Sequence, residues 1–499
     1  MRGLYVHIPF CVSKCSYCDF YSLPARQDMV ESYLHAVLLE AESYTDCHSE
    51  SFRRRAKNLV PPTTSSNELL SHEMGESRVR GDSLLRHSDV TKSEKNLVSG
   101  PTFQTLYIGG GTPSLLGPKN LTTLITGLPC HSERSEESSS PNSHCAPSAK
   151  DVGSGFGSLS NFARNGEILS TAAEMYDRPN PIAQDESGQT SLLCKERLRE
   201  NYFKVSSGGT LIESTIELNP ESATPEFLQT VKNLGFTRLS FGVQSLNDNE
   251  LKSVGRIHTA KQAVTAIKLA QKLEFKAISA DLIIGLPGQT SASLRKSLET
   301  LVELGIQHLS VYCLSLEANT PLANNPPPDL PTDDMQATLF EETRNYLITR
   351  GFAHYEISNF ALPGYQCLHN LNYWRGGEYL GLGPAAASHL DGKRFKNSAN
   401  LDAYLQNPIG QIEDIEELSA KDKAAEEAML RLRLLEEGLD ADVLTERFGQ
   451  ENAHDIFTRL DKMVQECLLI HEGSKYRLTP SRILTSNPIF ARVLGDNGE

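Results

Sequence analysis

Apolar residues along this chain gather into short runs separated by helical patterns, and most runs end at glycine, proline or a polar turn. Gly3 to Ile8 is the first, stopped by Pro9. From Asp28 to about Glu42, Val30, Tyr33, Leu34, Val37 and Leu38 recur at helical spacing. Thr105 to Ile108 and Ser214 to Leu218 predict the next two strands. A helix follows with Thr224 as N-cap, Pro225 at its first position and Gly235 closing it. Arg238 to Val243, Ala277 to Ile284 and His308 to Leu316 complete six strands, with a helix carrying Ala263, Ile267 and Ala270 on one face between the fourth and fifth.

Strands alternating with helices imply parallel pairing and right-handed crossovers. Six such units predict an α/β fold, an open partial (β/α)6 barrel whose functional groups gather at the strand C-terminal ends. Beyond the proline-rich Asn324 to Pro331, a helix from about Asp333 to Arg350 leads into further mixed structure. From about Ser419, helices are followed by the short apolar runs Cys467 to Ile470 and Tyr476 to Leu478. The organisation expected is a barrel over 1–325, an extension over 326–415, and a smaller C-terminal α+β, winged-helix-like domain over 416–499.

Two polar stretches, about 46–102 and 130–205, break the pattern and read as insertions, with disorder expected from their composition. They share words: Cys47-His48-Ser49-Glu50 recurs as Cys130-His131-Ser132-Glu133. Cys47, Cys130, Cys145 and Cys194 fall in or beside them at spacings without ligand logic.

Composition narrows the classes of function. At 499 residues, 39% apolar and 22% charged, the chain has the make-up of an ordinary protein able to bury a sizeable core. No apolar run approaches the roughly 18 residues of a membrane span, and no signal segment precedes the first strand, so a cytoplasmic, reducing location is expected. The net charge of −15 argues against a broad nucleic-acid surface. The one dense basic run, Arg53-Arg54-Arg55, sits in a polar stretch and reads as a solvated patch.

Against that background the first strand carries the chemistry. Cys11, Cys15 and Cys18, spaced C-x3-C-x2-C directly after it, read as thiolate ligands of an iron-sulfur cluster. Three ligands on a four-iron cubane leave one iron open to a substrate or cofactor. Disulfides do not suit a reducing compartment, and zinc would want a fourth ligand, for which His7 is a weak candidate. At the end of the second strand, Gly109-Gly110-Gly111-Thr112 permits close approach of a ligand to the backbone. Four polar residues, Glu217, Gln244, Arg256 and Asp281, arrive on or just after later strands. Taken singly, each reads equally well as a loop cap, a surface ion pair or a structural hydrogen-bonder; together they point to a shared ligand.

The run Tyr5-Val6-His7-Ile8-Pro9-Phe10-Cys11 resembles the opening of radical SAM enzymes of the oxygen-independent coproporphyrinogen III oxidase-like family. The resemblance covers most of the chain outside the two insertions. It implies a four-iron, four-sulfur cluster on Cys11, Cys15 and Cys18, with S-adenosyl-L-methionine (SAM) chelating the open iron and an electron donor able to drive its cleavage. It also implies Tyr5, Gly110, Gly111, Thr112, Glu217, Gln244, Arg256 and Asp281 as contacts of that cofactor.

Two departures separate this chain from the authentic oxidases of the family. They resemble C-x3-C-x2-C-x-C, whereas the last position here is Phe20, and they carry a longer segment before the first strand than Met1-Arg2. Cys18-Asp19-Phe20 and His369-Asn370-x-x-Tyr373-Trp374 instead resemble the heme chaperones of the family, with His369 implied as a heme ligand and Cys367 a rival. The function expected is therefore binding of heme and its delivery to an acceptor protein, with respiratory, membrane-associated proteins among the candidates, by a chain that can form a homodimer. The alternative is oxidative decarboxylation of coproporphyrinogen III.

Overall fold

The computed structural model describes residues 1–46, 103–128, 211–318 and 320–495. Cys47, Cys130, Cys145, Cys194, Arg53-Arg54-Arg55 and nearly all of both expected insertions lie outside the described residues.

All six expected strands are present: β1 (Arg2–Ile8), β2 (Thr105–Gly110), β3 (Glu213–Leu218), β4 (Arg238–Gln244), β5 (Ala277–Ile284) and β6 (His308–Cys313). Each pairs in parallel with the next, in chain order. The sixth ends at Cys313, short of the Leu316 expected from the apolar run. Helices fill the crossovers as their caps dictate. The Thr224 hydroxyl accepts the Phe227 amide, Pro225 opens Pro225–Asn233, and Gly235 turns away at φ 80°. Ala263, Ile267 and Ala270 are buried on helix Ala260–Lys272.

The sheet extends beyond those six strands. Four residues C-terminal to Trp374, Glu378–Leu382 (β9) lies parallel to β1 on its open side, pairing Gly3 with Tyr379 and Tyr5 with Gly381. Antiparallel strands β10 (Ala387–Leu390), β11 (Lys393–Asn397) and β12 (Ile412–Glu417) continue that edge. β7 (Ala353–Glu356) and β8 (Asn359–Ala361) cover β6 at the other edge. The result is one open twelve-stranded sheet. Residues after it form helices Ala420–Arg431, Ala441–Phe448 and Gln450–Gln465 with the hairpin Leu469–Glu472/Lys475–Leu478, matching the helices-then-hairpin pattern expected. No helix among the described residues is long and apolar enough to cross a membrane.

The two faces of the parallel strands differ. Successive residues point to opposite sides of a strand. Leu4, Val6 and Ile8, Leu106 and Ile108, Leu239 and Phe241, and Leu282 and Ile284 are buried in the core that the helices cover. The opposite face carries Tyr5 and His7, hydrogen-bonded to each other along β1, and Tyr107, Glu217, Ser240 and Asp281, with Tyr107 bonded to Glu217 and Ser240 to Asp281 across strands. A parallel sheet covered on both sides is ordinarily apolar on both. Here one face is a buried polar lining, and it rises to the strand ends where the cysteines lie.

Candidate functional site

The cysteine loop is tied at both ends. Phe10–Cys11 pairs in parallel with Leu23–Pro24, the Leu23 amide donating to the Pro9 carbonyl at 2.8 Å and the Ala25 amide to the Cys11 carbonyl at 3.2 Å. In the middle, the Ser16 amide donates to the Val254 carbonyl and the Ser16 carbonyl accepts the Leu322 amide, pinning the loop to segments that follow β4 and β6. Cys11, Cys15 and Cys18 are free and half-buried. Burial pushes the Cys18 thiol up to about 11; the Phe20 amide on its sulfur acts the other way, and the charges of Cys15 and Cys11 add to the rise. Three sulfurs that act on one another electrostatically suit a cationic centre that takes them all as thiolates.

The glycine run is the floor beneath this loop. The Gly111 amide donates to the Ile8 carbonyl at 2.7 Å and the Thr112 amide to the Phe10 carbonyl at 2.6 Å. At Gly111 a Cβ would stand 2.4 Å from the Phe10 carbonyl oxygen. At Gly110, where φ is 106°, it would stand 2.6 Å from the His7 ring. No side chain fits at either position, so the backbone itself faces the loop.

Around the floor stand the polar groups. Tyr107 donates to Glu217 at 2.7 Å, and Glu217 also accepts the Gly110 amide at 3.1 Å. Burial, with the nearby Asp281 charge adding, pushes the Glu217 carboxyl up to about 7. Burial likewise raises Asp281 to about 6 against hydrogen bonds from Ser310 and Ser240. Gln244 holds a left-handed φ of 63°, which is strained for a non-glycine residue. Over Gly242 the structure brings three groups together: a Cβ there would lie 3.0 Å from Arg256, 3.1 Å from Gln244 and 3.3 Å from Asn219. Arg256 reaches Cys15 Sγ at 3.6 Å, and its buried Nε has no hydrogen-bond partner. Val12, Ser13, Cys15, Asn219, Glu221 and Arg256 line a cleft above.

Three residues of this arrangement were not singled out as site residues from the sequence: Tyr107, Asn219 and His7. The His7 ring bridges the Tyr5 hydroxyl and the Tyr21 carbonyl, at 3.0 Å each, and so ties the strand to the loop's return. The alternation of polar residues along β1, β2 and β3 was the available signal.

The family model described as Radical SAM superfamily matches residues 181–301, and that of the HemN C-terminal domain matches residues 418–483. Over 504 residues the chain is 25% identical to heme chaperone HemW of Lactococcus lactis, covering 99% of this chain and 98% of that protein. It is 29% identical over 439 residues to heme chaperone HemW of Escherichia coli, covering 87% and 83%. The solved coproporphyrinogen III oxidase (HemN) of Escherichia coli, described as a radical SAM enzyme, shares the fold at a TM-score of 0.64 and 18% identity, over 99% of this chain and 90% of that one. The chain thus combines a match to the radical SAM superfamily with one to the HemN C-terminal domain, and it is similar over nearly its whole length to proteins named heme chaperone HemW.

The radical SAM match implies a four-iron cluster and SAM, and the site fits both. Among the described residues no three His, Cys, Asp or Glu side chains close on a single ion. Thiolates that each take a different iron of a cubane need not converge on one point. The side-chain-free Gly110-Gly111 floor, the unpartnered Arg256 Nε and two carboxyls held near neutrality are what a ligand carrying both an ammonium and a carboxylate would meet.

Neither His369 nor Cys367 lines this cleft, although the His369 ring packs on that of Tyr107, with centroids 5.1 Å apart. His369 is fully buried against Gly3 at the start of β1, and β1 runs about 17 Å from Gly3 to Ile8 at roughly 3.3 Å per residue. Its ring nitrogens engage the Thr105 hydroxyl at 2.8 Å and the Tyr373 hydroxyl at 3.1 Å, and its amide donates to Glu213 at 2.9 Å. Burial holds the imidazole down at about 3, neutral at ordinary pH. Cys367 is buried beside Glu213, its thiol pushed well up by burial. In this fold His369 fastens helix Leu368–Trp374 to the sheet. His369→Ala should cost about 2–4 kcal/mol in urea unfolding from lost packing and orphaned hydroxyls, with His369→Gln recovering part. Lost heme affinity at unchanged stability would instead make it a ligand.

Buried titrating groups set an acid limit for the radical SAM fold. His7, His354 and His369 are held at about 4, 4 and 3, and His308 well below 6.5, all by burial. Unfolding lets each take a proton, so their contribution is full above 6.5 and is lost as the pH falls toward 3. Glu40, Glu217 and Glu356, raised to about 7, and Asp281, raised to about 6, act oppositely, because the unfolded carboxyls ionise from about 4.5 and 3.8 upward. The two sets offset each other between about 4.5 and 6. Below 4.5 only Asp281 still opposes the histidines. Urea midpoints of the metal-free protein at about pH 7, 5.5 and 4 should be similar for the first two and much lower for the third; a midpoint at pH 4 equal to that at 5.5 would refute this.

Proposed function

We propose that this protein is a heme chaperone: it holds a four-iron cluster with SAM, binds heme, and passes heme to an acceptor protein. The observation that carries the reading is similarity over nearly the whole chain to proteins named heme chaperone HemW, in a chain that has Phe20 where the family's oxidases have a further cysteine. Cys11, Cys15 and Cys18 would hold the cluster. Gly110, Gly111 and Thr112 would take the methionine end of SAM, with Glu217, Gln244, Arg256, Asp281 and Tyr5 around the rest. When bound, the cluster supplies single electrons, taken from an external donor, to a sulfonium whose carbon-sulfur bond they can break.

The residues facing this site orient and exclude water. Tyr107 and the Gly110 amide aim Glu217 into the lining, and Ser240 and Ser310 aim Asp281. Phe20 is 48% exposed, and Val12 and Ile257, at 56% and 53%, flank the cleft. Exposed apolar side chains in contact with a flat apolar macrocycle would gain the burial they lack in the free protein. An acceptor that receives heme, respiratory or otherwise, would then meet a partly exposed ligand, and a cytoplasmic location would keep the cluster reduced.

Heme titration tests this. Phe20→Ser should weaken heme binding roughly tenfold, the equivalent of about 1.4 kcal/mol of lost apolar contact, and leave iron content unchanged. Equal affinities would remove Phe20 from the heme site. The oxidase reading is supported by the shared fold and would be favoured by release of carbon dioxide from coproporphyrinogen III under anaerobic, reducing conditions with SAM.

A further inference from the structure

We propose that Asn219 is a positioning residue that orients hydrogen-bond donors onto two of the three cysteine sulfurs, Cys11 and Cys15, and thereby tunes the cluster they would hold. Asn219 directly follows β3, at the N-cap position of the short helix Pro220–Ser222. An asparagine there ordinarily caps the helix with its side chain. This one makes no side-chain cap. Its amide reaches across the strand ends instead, with Oδ1 accepting from Arg256 Nη2 at 2.8 Å and Nδ2 donating to Thr112 Oγ1 at 3.0 Å.

Proton accounting leaves this chain a single direction. Arginine only donates, so the oxygen of Asn219 must face Arg256 and the amino group must face Thr112. Thr112 Oγ1 accepts from Asn219, so its own proton is free to point at Cys11 Sγ, 3.6 Å away. The other arm of the guanidinium, Nη1, points at Cys15 Sγ, also at 3.6 Å. One amide thus links two donors, and each donor serves a different sulfur. Gly242 leaves the room required, since a Cβ there would press on Arg256 at 3.0 Å and on Asn219 at 3.3 Å.

Donors to ligand sulfurs stabilise the reduced, more negative state of an iron-sulfur cluster and raise its midpoint potential. Removing Asn219 frees Thr112 to donate elsewhere and leaves Arg256 Nη2 held by the Gly242 carbonyl alone, so the donor to Cys11 loses its orientation and the donor to Cys15 is held less firmly. The inference rests on the cluster-holding role of Cys11 and Cys15. Iron and sulfide content reports that role separately from the potential.

The test is an EPR-monitored redox titration of the full chain after anaerobic cluster assembly. Asn219→Ala should keep iron and sulfide near wild type while the midpoint potential shifts to more negative values. Thr112→Val, which removes one donor, should shift it in the same direction by less, and Thr112→Ser should restore the wild-type value. In the double variant Asn219→Ala/Thr112→Val the shifts should fall short of additive, because both act on Cys11 through one chain. Asn219→Asp accepts from Arg256 but cannot donate to Thr112, and it covers the case in which the alanine variant fails to assemble a cluster; it too should lie below wild type. A wild-type potential in an Asn219 variant with full iron content, or strictly additive shifts in the double variant, would overturn the proposal.

Discussion

A Cys15→Ala chain is expected to lose its four-iron cluster almost completely, with iron and sulfide per chain falling toward zero and the fold retained. Each thiolate of the loop would serve a separate iron, so one deletion leaves two protein ligands for four irons. Arg256 would lose the sulfur that one arm of its guanidinium addresses. The loop itself should survive, because its ends are joined by the Leu23–Pro9 and Ala25–Cys11 backbone bonds and its middle by Ser16. Far-UV circular dichroism and urea midpoints near those of metal-free wild type, beside absent iron, are the result expected. Cys313→Ala, at an exposed position ending β6, should leave iron content unchanged. A Cys15→Ala chain that still binds about four irons would break the assignment of the loop.

Glu213→Ala should be the most destabilising substitution discussed here, at about 3–5 kcal/mol, because it strands a buried guanidinium. Arg238 Nε donates to Glu213 at 3.0 Å, with side-chain exposures of 4% and 6%. Arg238 also donates to the Tyr365 and Gln366 carbonyls, and Glu213 accepts the His369 amide and faces Cys367. The pair therefore joins β3 and β4 to the segment that leads into helix Leu368–Trp374. Replacing both partners, as in Glu213→Ala/Arg238→Met, should cost less than the sum of the single changes, since no charge is then left buried alone. A loss below about 1 kcal/mol for Glu213→Ala would mean that water reaches the guanidinium and the pair is not a buried one.

Much of this arrangement was legible in the sequence. The six parallel strands announce themselves as apolar runs closed by glycine, proline or a polar turn, with capped helices between them. β9 does not, because Glu378-Tyr379-Leu380-Gly381-Leu382 is short, contains a glycine and has a charged first residue. It becomes a strand by pairing with β1, some 376 positions away in the chain. The cysteines and the glycine floor stand out in the sequence because each belongs to a local pattern, and the polar strand-end residues because they fall at successive strand ends and match the contacts that the resemblance implies. Tyr107 and Asn219 do not, nor does the bridging role of His7, which the sequence offers only as a weak zinc ligand, because their partners lie on other strands or at the loop's far end. His369 shows the converse. The sequence beside it, with asparagine, tyrosine and tryptophan, suggests a ligand, and only the fold reveals the partner of its ring, Thr105, 264 positions away.

In the proposed function, a radical SAM scaffold serves heme rather than porphyrinogen decarboxylation. The measurement that tests it most directly is an anaerobic titration of the cluster-loaded full chain with heme, run beside an assay of carbon dioxide release from coproporphyrinogen III with reductant and SAM. Saturable heme binding with a shifted Soret band, and no carbon dioxide, is the result expected. Carbon dioxide release without saturable heme binding would contradict it.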